Sequence, residues 1–183
     1  MGKIVDLDHY KKQTLEQRVF KAWRERFDEH FSVDTCFDDL SHETLYTLAA
    51  PGDASTPLYY EVVMTALGLG PARRFNLLEN ELKMAVVDRH LFLADHVRFE
   101  MMHRLGWLEA YPCQDKPLIE MVQRFDVVRR EVADGAPRLA HSHPNVAGFN
   151  QLLTREKQVF VRRMLNDALQ AFRMRFLPDN PSA

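Results

Sequence analysis

Two histidines and a glutamate recur along one face of the longest helical segment in the sequence, about residues 77–105. His96, Glu100 and His103 lie at i, i+4 and i+7, so on a helix their side chains point the same way. Imidazole nitrogens and carboxylates are the ligands with which helical bundles hold transition metals. The spacing therefore predicts a candidate metal site made of these three residues.

A second pair of histidines could complete this metal site. His141 and His143 lie at i and i+2 in the irregular connection 134–148. Side chains two residues apart in an extended stretch point the same way, and a loop of this length in a compact domain is usually functional or disordered. Two alternatives stay open, a solvated face for the helical stripe and an exposed turn before Pro144 for the histidine pair.

Two aromatic residues, Phe92 and Phe99, lie on the same stripe as the histidines. The chain has 12 Phe, 5 Tyr and 2 Trp, which are spread along amphipathic helices and not around an evident catalytic cluster. The sequence contains no Gly-rich phosphate loop and no nucleophile elbow. Such aromatic surfaces favour contact with another protein. The sequence thus predicts a non-enzymatic protein that binds proteins or peptides as an adaptor or chaperone, and a homodimer, with Phe92 and Phe99 as interaction residues. The alternative is a metal-binding helical bundle with a redox or sensing role.

One segment of the long helix resembles two different families. Glu100-Met-Met-His103 is similar to the Glu-x-x-His motif of ferritin-like di-iron proteins, which use it twice where this sequence has it once. Asp95-His96-x3-Glu100 resembles a segment of the redox-enzyme maturation chaperones, all-helical proteins that hold the signal peptides of molybdoenzymes. Ala94 stands where those chaperones have proline. The second resemblance implies a peptide-binding function.

A third resemblance involves the hemerythrin-like proteins. Asp39 and His42 are similar to that family's first ligand segment, and His96-x3-Glu100 to its second. Residues 104–140 contain no histidine, whereas the family has a His-x3-His pair there. Because one short segment resembles three families, the sequence assigns the chain to none of them.

Helical periodicity covers most of the sequence, and caps and stops bound the segments. Asn76 with Glu79 predicts the start of the long helix, and Gly106 predicts its end. The alternating stretch 31–37 has no evident partner strand and is predicted to be an extended connection. The predicted helices cover about residues 8–31, 42–49, 58–67, 77–105, 115–135 and 149–177.

These segments predict an all-α fold, a single-domain bundle of five or six helices around the long central helix. The domain would cover residues 1–177 and be followed by a flexible tail, 178–183. With 183 residues the chain is long enough for one compact domain and too short for two of ordinary size.

Charge and composition narrow the expected partners and location. The net charge of −2 gives no overall field that would attract nucleic acid, so no nucleic-acid partner is expected. No apolar stretch is long enough to span a membrane, and no secretory signal begins the sequence. Cys36 and Cys113 form no CxxC motif, which is typical of reduced cysteines in a cytoplasmic protein.

Overall fold

Helices dominate this computed structural model, which describes residues 7–133 and 135–177. They account for 66% of the structure, which confirms the predicted all-α fold. Two short 3-10 helices span Phe37–Asp39 and Ala72–Leu77. The α-helices are α1 (Leu7–Val19), α2 (Lys21–Phe27), α3 (His42–Ala49), α4 (Thr56–Ala66), α5 (Asn80–Arg104), α6 (Leu118–Gln123), α7 (Phe125–Glu131), α8 (Val146–Asn150), α9 (Thr154–Arg163) and α10 (Leu165–Phe176).

The described residues form ten α-helices and not the expected five or six, because three predicted helices are interrupted and because α8 begins within the connection 134–148 that was predicted to be irregular. Phe20 separates α1 from α2, Arg124 separates α6 from α7, and Met164 separates α9 from α10. None of the three is Gly or Pro, the residues that usually mark a break. Each carbonyl still accepts the hydrogen bond of the fourth residue after it. The interruptions therefore redirect the helices without a connecting loop.

The central helix α5 begins later than its sequence predicts. The chain before it forms the 3-10 helix Ala72–Leu77, and Glu79, with extended backbone angles, is the N-cap residue. The capping box expected from Asn76 is therefore not the start of α5. The helix packs against α3, α4, α6 and α10, which confirms its predicted central place.

The end of α5 is the glycine turn that the sequence predicts. Gly106 has φ +76°, and its N–H donates to the carbonyl of His103 at 2.9 Å. The N–H of Trp107 donates to the carbonyl of Met102, also at 2.9 Å. These two bonds satisfy carbonyls that the helix end would leave unpaired.

We expect Gly106→Ala to lower the free energy of unfolding by about 1 kcal/mol, because a Cβ disfavours positive φ. An added Cβ at Gly106 would meet no atom within 4 Å, so the effect is purely one of backbone conformation. Gly148 in α8 is the matched control, since its added Cβ also meets nothing and its φ is not positive. Urea denaturation of both variants is the measurement. Equal stability of the two would contradict the prediction.

A short pair of strands, absent from the sequence prediction, positions α7 beside α5. Leu108–Ala110 (β1) pairs antiparallel with Arg138–Leu139 (β2). The pairing brings the chain back to the end of α5 after α6 and α7. The ring of Phe125 consequently packs edge-on against that of Phe92, with centroids 5.4 Å apart.

An aromatic cluster joins α2, α4 and the connection after α2. Trp23 packs against Phe20, Phe31 and Tyr59, with ring centroids 5.5–6.4 Å apart. Its indole N–H donates to the carbonyl of Leu58 at 3.0 Å. Phe20 and Trp23, which lie within the first predicted helix, therefore belong to the core.

In the described part of the chain, no helix is both long and apolar enough to cross a lipid bilayer. The predicted tail, residues 178–183, lies outside the described residues.

Candidate functional site

His96 is buried in the middle of α5, with only 4% of its surface exposed. Its ring lies between Phe37, stacked at 5.9 Å, and Phe92, at 4.4 Å between centroids. Nδ1 lies 2.7 Å from the carbonyl oxygen of Phe92. Because a carbonyl only accepts, we assign the proton to Nδ1, which leaves Nε2 with a free lone pair.

The other nitrogen of His96 is unusual, because Nε2 is buried and has no hydrogen-bond partner among the residues that the structure describes. Burial lowers the pKa of His96 to about 4, although the Phe92 carbonyl and the charge of Asp95 oppose that shift. The imidazole is therefore neutral at physiological pH. A buried acceptor without a donor is costly, and native structures contain few of them.

Glu100 is also buried, 2% exposed, and both of its carboxylate oxygens are engaged. Arg104 Nε donates to Oε1 at 2.7 Å, and the hydroxyl of Tyr111 donates to Oε2 at 2.6 Å. Burial and this hydrogen bond raise the pKa of Tyr111 above its usual value. His103 lies farther away, with Nδ1 3.7 Å from Oε2. Glu100 thus belongs to a structural hydrogen-bond network and not to a solvated helix face.

Arg104 extends this network to a distant part of the chain. Its guanidinium donates to the carbonyl oxygens of Phe37, Asp38 and Leu40, at 3.2, 3.1 and 2.7 Å. These carbonyls belong to the 3-10 helix and the residue after it. Glu100 therefore orients the arginine that attaches this short helix to the end of α5.

His141 and His143 lie in the connection between β2 and α8. His141 is exposed, with Nε2 3.9 Å from a carboxylate oxygen of Glu109. Nδ1 of His143 accepts a hydrogen bond from the backbone N–H of Asn145 at 3.2 Å. Each histidine thus has local contacts of its own.

The predicted metal ligands do not meet in one cluster among the described residues. Cys36, Asp38 and Asp39 are the one group of three or more Cys, His, Asp or Glu residues there whose ligand atoms lie within 4.8 Å of one another. Burial, with the charge of Asp38, raises the pKa of the Cys36 thiol to about 11, so little of the thiolate that binds metals forms. The metal site of the sequence analysis stays a prediction, without a shared geometry to support it.

The aromatic rings expected to be interaction residues are covered within the chain to different extents. Phe99 is buried, 7% exposed, and Phe92 is half-buried against Phe125. The homodimer prediction rested on uncovered rings at these two positions. It therefore loses that support and stays a prediction.

A cavity of about 430 Å³ lies between α5, α7, α9 and residues Val132, Ala133, Gly135 and Pro137. Three aromatic side chains contribute to its wall, Phe92 and Phe99 from α5 and Phe125 from α7. His96 also lines it. Exposed Asp88 and Arg129 lie at its margin. The cavity thus combines an apolar interior, a buried neutral imidazole and a charged rim, the usual composition of a ligand site.

A second cavity, about 330 Å³, adjoins the first between α5, α9 and the start of α10. Leu91, Asp95, Phe99 and Arg162 line both cavities. Nη2 of Arg162 lies 2.6 Å from Oδ2 of Asp95, so an ion pair joins α5 to α9 where the cavities meet. Leu91 is 52% exposed beside them. The two cavities form a groove of adjoining pockets.

A larger cavity of about 820 Å³ lies between α1, α2 and α4. Exposed cations, Lys11, Arg18 and Lys21, line part of it, and water solvates such side chains without cost. Among the described residues, its lining holds no buried side-chain polar atom that lacks a hydrogen-bond partner. The groove along α5 is therefore the better candidate site.

Sequence reasoning missed the part of the groove that α7 and α9 supply. It gave no role to Phe125, Arg129 or Arg162, and Arg162 lies 67 residues from its partner Asp95. Local spacing carries no signal for such a pairing. Only the fold brings these side chains to α5.

Comparison of the chain with protein-family models, with curated proteins and with solved structures finds no match. The segment Asp95-His96-x3-Glu100 lies wholly inside α5, whereas the chaperones that it resembles have it at a loop end. The geometry of the groove is therefore the main basis for a functional assignment.

Proposed function

We propose that this protein binds an extended or helical segment of another protein in the groove along α5, in an adaptor or chaperone role. The observation that carries the proposal is the pair of adjoining cavities that share Leu91, Asp95, Phe99 and Arg162. Adjoining pockets suit two side chains of one peptide better than a single small molecule. The redox-enzyme maturation chaperones, which one short segment of α5 resembles, also hold peptides.

The side chains of the groove suit a peptide that inserts one apolar anchor side chain and places polar groups around it. Phe92, Phe99 and Phe125 offer aromatic contacts to an inserted side chain, and such buried anchors dominate peptide affinity. Asp88 and Arg129 at the rim offer one charge of each sign to the backbone or to flanking residues. The metal-binding alternative has no comparable assembled site among the described residues and is not proposed.

A phage-displayed library of random twelve-residue peptides tests this function. We expect wild-type protein to enrich peptides with apolar or aromatic anchors, and synthetic copies to bind with micromolar Kd. Ala133→Trp should weaken that binding at least tenfold, because Ala133 lines the first cavity and an indole there occupies its space.

Ala147→Trp is the matched control. Ala147 is exposed, as Ala133 is, but it lies on α8 and lines neither cavity. Its affinity for the enriched peptides should equal that of wild type. Failure to enrich any peptide, or equal weakening by both tryptophans, would overturn the proposed function.

A further inference from the structure

The unpaired Nε2 of His96 indicates which chemical group a ligand of the first cavity should carry. Nδ1–H is used by the Phe92 carbonyl, so Nε2 is a hydrogen-bond acceptor and not a donor. His96 lines the cavity and is 4% exposed, whereas Asp88 and Arg129 at the margin are exposed. His96, which carries the acceptor, therefore lies at the inner end of the cavity. A complementary ligand carries a donor at its innermost tip.

The surroundings of His96 exclude a charged donor. Both oxygens of Glu100 are engaged by Arg104 and Tyr111, and Asp95 is paired with Arg162. Among the described residues, no free carboxylate at that depth would compensate an inserted lysine or arginine for its lost water. Those residues therefore favour a neutral donor.

The walls favour an aromatic ring as the carrier of that donor. The rings of Phe92 and Phe99 lie 4.4 and 5.4 Å from His96 between centroids, and Phe125 completes the wall. Aromatic rings pack edge-to-face or offset with such neighbours. Serine and threonine are too small to fill the space, and an indole carries its N–H on the side of the ring. A phenol carries its hydroxyl at the tip.

We propose that the anchor side chain of the bound segment is a tyrosine, whose hydroxyl donates a hydrogen bond to Nε2 of His96. The inference rests on the peptide-binding function proposed above. Nε2 has almost no exposed surface, so a neighbouring side chain must shift for the hydroxyl to reach it. The acceptor on His96 then selects a phenol over a plain hydrocarbon ring.

Three small probes test this selection on unmodified protein. 4-Methylphenol is the tyrosine side chain, 4-methylanisole replaces its hydroxyl by an ether without a donor, and toluene lacks the oxygen. A net hydrogen bond favours the phenol by roughly three- to tenfold in Kd over both others. Titration followed by amide NMR gives the three constants. Equal affinity for all three probes would overturn the tyrosine assignment while leaving an apolar peptide anchor intact.

A spectroscopic readout locates the contact. In protein labelled with ¹⁵N histidine, 4-methylphenol should shift the Nε2 resonance of His96 to lower frequency, as accepting a hydrogen bond does, and toluene should not. An unchanged Nε2 resonance at saturating 4-methylphenol would overturn the proposal. This measurement needs no variant.

His96→Phe provides the complementary variant, because it keeps a ring and removes the acceptor. Its preference for 4-methylphenol over toluene should disappear. In parallel, the peptides enriched by wild type should contain tyrosine, and tyrosine-to-phenylalanine copies should bind three- to tenfold more weakly. Peptides that bind through phenylalanine or leucine alone would refute the tyrosine anchor but support the groove, whereas absence of any peptide binding would refute the proposed function itself.

Discussion

Glu100→Gln is expected to lower the free energy of unfolding by about 3–5 kcal/mol, because it leaves the largely buried guanidinium of Arg104 without its carboxylate. Arg104 also holds the carbonyls of Phe37, Asp38 and Leu40. If the substitution reorients Arg104, the attachment of the 3-10 helix to α5 therefore weakens as well. Thermal and urea denaturation, each with circular dichroism as the readout, measure the change.

The chain supplies a control with the same residue types and spacing. Glu120 and Arg124 also form an i,i+4 pair, at 2.8 Å, but the arginine is 58% exposed and the glutamate 30%. Glu120→Gln should cost only about 0.3–0.5 kcal/mol. A loss at Glu100 as small as that at Glu120 would show that the buried network contributes little and would restore Glu100 as a candidate metal ligand.

Acid is expected to destabilise the protein through His96. In the unfolded chain this histidine binds a proton near pH 6.5, whereas in the fold its pKa is about 4. Between these values the unfolded state binds more protons, so stability falls as pH falls. The loss attributable to His96 is roughly 3 kcal/mol, fully developed near pH 4. His42 and His90, whose pKa values burial also lowers, act in the same direction.

His96→Phe separates this contribution from other acid effects. Stability of the variant should depend less on pH between 6.5 and 4, and at pH 7 it should equal or exceed that of wild type, because an unpaired buried nitrogen is removed. His141→Gln is the control, since that ring is 88% exposed. Parallel stability-against-pH curves for wild type and His96→Phe would refute the buried neutral imidazole.

The features that the sequence predicted correctly depend on interactions between residues that are close together in the chain. Helical periodicity and the Gly106 end of α5 both depend on neighbouring residues, and both are confirmed. The interruptions at Arg124 and Met164 were missed, because neither residue is a helix breaker by itself. They depend on how the flanking turns pack against other helices.

The candidate site was harder to predict, because its polar residue types indicated exposed positions for side chains that are in fact buried. On a helical projection His96 and Glu100 count as polar and fall on the outer side of α5. They are buried because Tyr111 and Arg104 bond Glu100, and because Phe37 covers the His96 ring. These partners become neighbours only after the chain has folded.

The Asp95–Arg162 pair joins two helices that leave the ribosome at different times. The two residues are separated by 67 positions, so at ribosomal rates of about 5–20 residues per second, α9 emerges roughly 3–13 s after the middle of α5. Throughout that interval α5 has been synthesised, whereas α9, which lines the groove opposite it, has not. A nascent chain thus presents Phe92 to its surroundings before α9 completes the lining of the groove.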